Sequence, residues 1–257
     1  MLRILFLILL TASCSGIRIP SLKKETRPLP KPVAIYETQD FIDHLSVLGD
    51  FFLQSPDTKT IKVKDKDQKY LQSLAMDIIN NNEIFFGNLK KVNFIILDTD
   101  TPLHFSLPHE RIFISKGLIT KYIKHESMLA GILSYELVRL AKNIYNKNII
   151  IPVGHISVQR LLSLLRVSID EKMELHKWAF HLTRRSGFDS EYYLSWLQTQ
   201  NRNTADFVLL VGDITSMTRE EALFKAFLIK EAASDNIVIK KNSSKSFYQL
   251  VNDLRET

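Results

Sequence analysis

The stretch Met128–Asn143, MLAGILSYELVRLAKN, decides the reading of the fold. Leu129, Leu133, Leu137, Leu140 and Ile144 recur at spacings of three and four, an apolar stripe at helical period. The opposite face carries Met128, Ile132, Tyr135 and Arg139, and Glu136 stands between the two faces. A helix this apolar belongs in a core. It nevertheless carries a glutamate and an arginine three residues apart, and the surrounding structure must accommodate both.

Working upstream, Val92–Leu97 is rich in β-branched and apolar residues and predicts a strand. Pro102 breaks the chain, and Leu103–Leu107 and Arg111–Ser115 predict two short strands around a turn at Pro108. Thr38–Gln54 and Gln68–Asn80 predict amphipathic helices, separated by a charged loop or short edge hairpin at Asp57–Asp67. Downstream, Ser157–Ser186 predicts one long helix, with Asp170, Glu171, Glu174, Trp178 and His181 on one face. Gly187 stops it, and Asp189 or Ser190 caps the next helix, Glu191–Gln200. Phe207–Val211 is an apolar run. Thr218–Ala233 predicts a helix capped by Thr218 or Ser216, with Glu220 and Glu221 in its first turn, where the helix dipole favours anions. Ile237–Ile239 predicts a strand or loop, and Phe247–Leu254 a last short helix. Few strands and many helices, segregated along the chain, give an α+β domain that is mostly α, a small sheet against a helical bundle.

The amino-terminal segment has a different composition. In Met1–Gly16, MLRILFLILLTASCSG, a charged Arg3 precedes an apolar run and then small residues, the pattern of an export signal. The run Thr11-Ala12-Ser13-Cys14 resembles a bacterial lipoprotein cleavage box with Cys14 as the lipidated residue, although Thr11 departs from the usual aliphatic residue. Residues 14–33 then form a linker in which Pro20, Pro28, Pro30 and Pro32 deny helix and favour an extended spacer. The expected organisation is a signal peptide at 1–13, a lipid-anchored linker at 14–33 and a folded domain at 34–257. Cys14 is the one cysteine, which excludes an internal disulfide and a cysteine-based zinc site. A net charge of +6 spread over 257 residues describes a solvated surface rather than a nucleic-acid face.

The segment Val92–Asn143 resembles the core of the HtpX-like and Oma-type zinc metallopeptidases, the gluzincin family forty-eight. Phe105, Leu107, Pro108, Arg111, Ile112, Phe113, Gly117 and Leu118 carry the likeness ahead of the helix that bears HExxH in that family. The resemblance implies a zincin-like helical domain with a small sheet. The chemistry departs from it. HExxH places two histidines on one helix face for Zn²⁺, with the glutamate activating the metal-bound water. Here those positions hold Tyr135, Glu136 and Arg139. Tyrosine ionises near pH 10 and arginine is permanently cationic. The segment Gly187-Phe188-Asp189-Ser190 matches a family landmark, and the register it sets implies Glu174 as the third ligand position, with His176 beside it.

The resemblance therefore implies a vestigial general base, Glu136, among degenerate ligand positions Tyr135, Arg139 and Glu174, with no metal expected. Two buried carboxylates repel unless a cation sits between them, so Arg139 is expected to lie at the vacated metal position and to bond Glu174, with Glu136 as a second partner. The expected function is a pseudopeptidase lipoprotein that binds an envelope protein or peptide, held by lipid on Cys14 at the periplasmic face of the outer membrane. One alternative is an active zinc metalloendopeptidase with Tyr135, Glu174, His176 or His125 as atypical ligands. The other is an unrelated structural envelope lipoprotein. The two His-Glu pairs, His109–Glu110 and His125–Glu126, lack the second histidine and are read as chance.

Overall fold

Strands β2 (Asn93–Leu97) and β4 (Arg111–Ser115) read as unbroken apolar runs rather than alternating ones, and the computed structural model explains why: their sheet is covered on both faces. It describes residues 37–87, 89, 91–150, 154–231 and 242–257. The signal-like segment, Cys14, the linker through Val33 and Ile237–Ile239 lie outside those residues. Two further strands complete the sheet, β1 (Thr60–Ile61) and β3 (His104–Leu107), in the order β1-β2-β4-β3. β2 and β4 are parallel, while β1 and β3 run antiparallel to their neighbours. The β3–β4 hairpin turns through His109 and Glu110, both left-handed, with φ 62° and 61°.

Phe94, Ile96, Ile112 and Ile114 face a core shared with helices α2 (Asp65–Asn80), α4 (Glu126–Lys142) and α6 (Ile169–Arg185). Phe105, Leu107 and Phe113 face the other way, against α1 (Thr38–Leu53) and α5 (Val158–Leu165). Arg111 fastens α1 to this face. Its guanidinium donates to Asp50 Oδ1 at 2.6 Å, Ser46 O at 2.8 Å and Ser46 Oγ at 2.9 Å. The short helix α3 (Glu83–Phe86) leads into β2, and a π-helical turn, Leu118–Tyr122, leads into α4.

The helix of the quoted stretch is α4, and every residue from Glu126 to Leu140 is buried. Both its apolar stripe and its opposite face are enclosed. It starts where His125 Nδ1 accepts from Ser127 N at 3.1 Å and ends at left-handed Asn143. Its first turn is fixed from far away in sequence. Glu126 Oε1 accepts from Tyr70 Oη and from Ser244 Oγ, each at 2.7 Å, and Oε2 accepts from Ser244 N at 2.8 Å. Ser244 caps the last helix, α10 (Lys245–Glu256). Gly131 lets α7 (Glu191–Arg202) approach closely, because a Cβ there would stand 2.6 Å from Tyr193 Cδ2.

Two helical expectations change. Ser157–Ser186 is two helices, α5 and α6, broken at Arg166–Ser168. Ser168 accounts for the break. It forms a capping box in which Ser168 Oγ accepts from Glu171 N at 3.3 Å and Glu171 Oε2 accepts from Ser168 N at 2.8 Å. The apolar run Phe207–Val211 belongs to α8 (Thr204–Val211). The following helix, α9 (Ile214–Glu231), starts four residues before Thr218, because Asp213 supplies the cap by accepting from Ser216 N at 2.7 Å. That shift moves Glu220 from a solvated first turn to the helix interior. The domain is α+β and mostly helical. Among the described residues no helix is long and apolar enough to cross a membrane.

Candidate functional site

Where α4, β3, α6, α7 and α9 converge, with α5 and α8 beside them, they line a cavity of about 50 Å³. It contains two carboxylates that sequence reading did not pair. Glu136, from the centre of α4, reaches it with a side chain only 1% exposed. Its Oε1 accepts from His104 Nδ1 of β3 at 2.6 Å. Its Oε2 faces Arg139 Nη1 at 3.8 Å. Arg139 lies one turn beyond Tyr135 on the same helix and donates from Nη2 to the Tyr135 hydroxyl at 3.3 Å.

The second carboxylate is Glu220 of α9. Its Oε1 accepts from Lys172 Nζ at 2.6 Å, and its Oε2 meets His176 Nε2 at 3.1 Å. His176 Nδ1 lies 2.8 Å from the Tyr193 hydroxyl. A neutral imidazole satisfies both contacts, donating from Nε2 to Glu220 and accepting at Nδ1 from Tyr193. The two clusters adjoin, since the Tyr135 and His176 rings are 5.1 Å apart.

Burial and charge act against each other on these groups. Burial pushes the Glu136 carboxyl up, but Arg139, then His104 and Ser106, outweigh it and hold the group below the usual carboxylate range. Glu220 follows the same pattern, with burial overcome by His176 and Lys172. Burial holds His176 below its ordinary value despite Glu220. Burial also raises Tyr135 and Tyr193, so both remain protonated phenols. Glu136, Glu220, Arg139 and Lys172 are thus two matched ion pairs.

Of the residues expected at the site, Tyr135, Glu136, Arg139 and His176 meet in the cavity. Glu174 does not. Its side chain is 58% exposed and pairs with Lys177 Nζ at 2.7 Å. The inward residues of α6 are Lys172 and His176, one turn apart, and Glu174 lies between them on the outer face with Asp170, Glu171 and Trp178. Arg139 therefore takes Glu136, not Glu174, as its carboxylate. His176 is a wall of the cavity rather than a neighbour of a ligand. Arg219 is exposed on α9, and the adjacent Glu220 faces inward. His125 caps α4 and stacks on Tyr192, with ring centroids 4.0 Å apart. His109 Nδ1 contacts Ser46 Oγ at 3.3 Å in the hairpin turn.

His104, Lys172, Tyr193 and Glu220 were not anticipated as site residues. A signal existed for two of them. A histidine inside an otherwise apolar strand needs a buried partner, and Glu220 shares helical spacing with two core residues, Met217 and Phe224.

Zinc requires three or four nitrogen, sulfur or carboxylate donors converging at about 2.0–2.3 Å. Among the described residues no group of three or more His, Cys, Asp and Glu side chains could hold a metal ion. The positions flanking Glu136 carry a phenol and a guanidinium, and a lysine ammonium occupies the inward face of α6. These residues do not fit zinc. Comparison with known protein families and with curated proteins finds no match for this chain.

Proposed function

We propose that this chain is a pseudopeptidase, a metallopeptidase-like scaffold without a catalytic metal that acts by binding at its interior cavity, tethered to the bacterial envelope through lipid on Cys14. One observation carries the reading. Both cavity carboxylates, Glu136 and Glu220, are neutralised by covalently attached cations, Arg139 and Lys172. A divalent ion entering between them would meet two positive charges already in place. The retained glutamate at the centre of the buried helix and the strand–turn–strand before it support a zincin-like ancestry.

The test is a zinc titration of the purified chain, with metal content measured after dialysis. The expected result is no stoichiometric zinc and no casein cleavage. Zinc retained at one equivalent, or cleavage lost in Glu136→Gln, overturns the proposal. The triple variant Tyr135→His, Arg139→His, Lys172→Glu removes both cations, and zinc binding by it alone supports the ancestry. Cys14→Ser is expected to release the protein from membranes.

A further inference from the structure

Charge counting in the cavity leaves a remainder. Glu136 is matched by Arg139 and Glu220 by Lys172, yet a third cation, Arg166, also lines the wall. Arg166 sits in the break between α5 and α6, and its Nε is buried without a hydrogen-bond partner. Its position depends on Gly212, the residue that ends α8 at φ 109°, where a Cβ would stand 2.8 Å from Arg166 Nε. Two more polar atoms of the same wall are buried and unpartnered: His104 Nε2 and Arg139 Nε. The His104 side chain is only 8% exposed, and its Nδ1 is committed to Glu136, which leaves Nε2 as its free polar atom. Glu136 Oε2, which faces Arg139, is a fourth. Buried polar atoms are normally satisfied, so the two fixed donors among them, Arg166 Nε and Arg139 Nε, mark a place that receives an acceptor group.

Apart from Gln200, the remaining wall is apolar. Leu162 and Leu165 of α5, Leu210 and Val211 of α8, and Trp196 line it. The two carboxylates, the lysine and the two arginines of the wall leave an ionic remainder of one positive charge. We propose that this cavity binds a carboxylate carried on an apolar group, with the carboxylate at Arg166 and the apolar substituent along the leucines. A single surplus charge matches a monoanion, whereas a dianionic phosphate would leave one negative charge uncompensated in a buried site. A planar carboxylate also suits the two-pronged guanidinium. This assignment rests on the reading of the protein as a binding scaffold, and it names that scaffold's ligand class. Free small carboxylates and peptide carboxyl termini share the chemistry.

The experiment is calorimetric titration of the full chain with sodium acetate, acetamide, the tripeptide Ala-Ala-Leu as its free acid and the same tripeptide as its carboxyl amide. Saturable binding of an acid, at least tenfold tighter than of its amide, is expected. The tripeptide acid exceeding acetate tenfold supports the proposal and assigns a peptide terminus, whereas equal affinities would remove the apolar substituent from the leucine wall and overturn that part of it. Arg166→Met is expected to weaken the acid at least tenfold and Arg166→Lys to weaken it less. The acid–amide comparison needs only the unaltered protein, so it holds even where a variant misfolds. Binding of acid and amide alike, competition by sodium sulfate as strong as by acetate, or no saturable response overturns the assignment. The zinc titration reports separately. Excluded zinc without acid binding refutes the ligand class alone, whereas bound zinc refutes the scaffold reading itself.

Discussion

Arg139→Met isolates the electrostatic replacement at the centre of the cavity. The guanidinium stands 3.8 Å from Glu136 Oε2, a gross attraction of about 4 kcal/mol at an effective dielectric constant of 20. Removing one partner of a buried pair costs about 3–5 kcal/mol, because the other charge remains without compensation. His104 stays on Oε1 at 2.6 Å, so the loss is expected at the low end, about 3 kcal/mol at pH 7.5. The pH dependence is the sharper test. In the parent protein Glu136 lies below its unfolded value of 4.5, so its stabilisation is present above that pH and is lost as pH falls through the depressed folded value. Without Arg139, burial dominates and lifts the folded value above the unfolded one. The variant then loses stability as pH rises, and its deficit shrinks between pH 7.5 and pH 5. Urea unfolding at both values measures this. Combining Arg139→Met with Glu136→Gln is expected to recover part of the loss by removing the stranded charge. A deficit under about 1 kcal/mol, or one that is the same at both pH values, refutes the reasoning.

Three further outcomes are expected. Glu174→Gln changes stability by less than about 0.5 kcal/mol in urea, because its partner is a surface lysine; a loss of several kcal/mol would place it in the core. His176→Gln costs about 2 kcal/mol by disturbing buried contacts to Tyr193 and Glu220. Because the folded pKa of His176 lies below its unfolded 6.5, the parent loses this contribution as pH falls below that value, and the variant flattens that part of the stability–pH curve. Gly131→Ala lowers the melting temperature. Its new Cβ would stand 2.6 Å from a fully buried tyrosine, an overpacking cost of about 1–3 kcal/mol that outweighs roughly 1 kcal/mol of helix propensity.

The helix α4 was legible because its apolar residues repeat at helical spacing and its caps are local. The strands were legible because short β-branched runs bounded by proline have few other readings. The site was legible only in part, for reasons of register. Glu174 was placed inward by counting back from Gly187, yet the stripe Met173, His176, Ala179, Phe180 and Thr183 on the same helix puts it outside. One residue of helix turns a side chain by about 100°, so an alignment taken from a distant landmark loses to the local pattern. Glu220 was misread for a related reason. Asp213 caps the helix three residues before the serine and five before the threonine considered, and that extra turn carries Glu220 out of the first turn. The pairing of Glu220 with His176, 44 residues apart in the chain, left no local trace.

The side chain of Glu126 has a consequence for the order in which the fold closes. Its acceptors close on Tyr70, 56 residues upstream, and on Ser244, 118 residues downstream. A chain in which Ser244 has not docked leaves that side chain, at the start of its most enclosed helix, without two of its three donors. Ser244 is therefore the latch: until it docks, the start of the most enclosed helix keeps a carboxylate short of its partners, and the sealing of α4 waits on a residue 118 positions away.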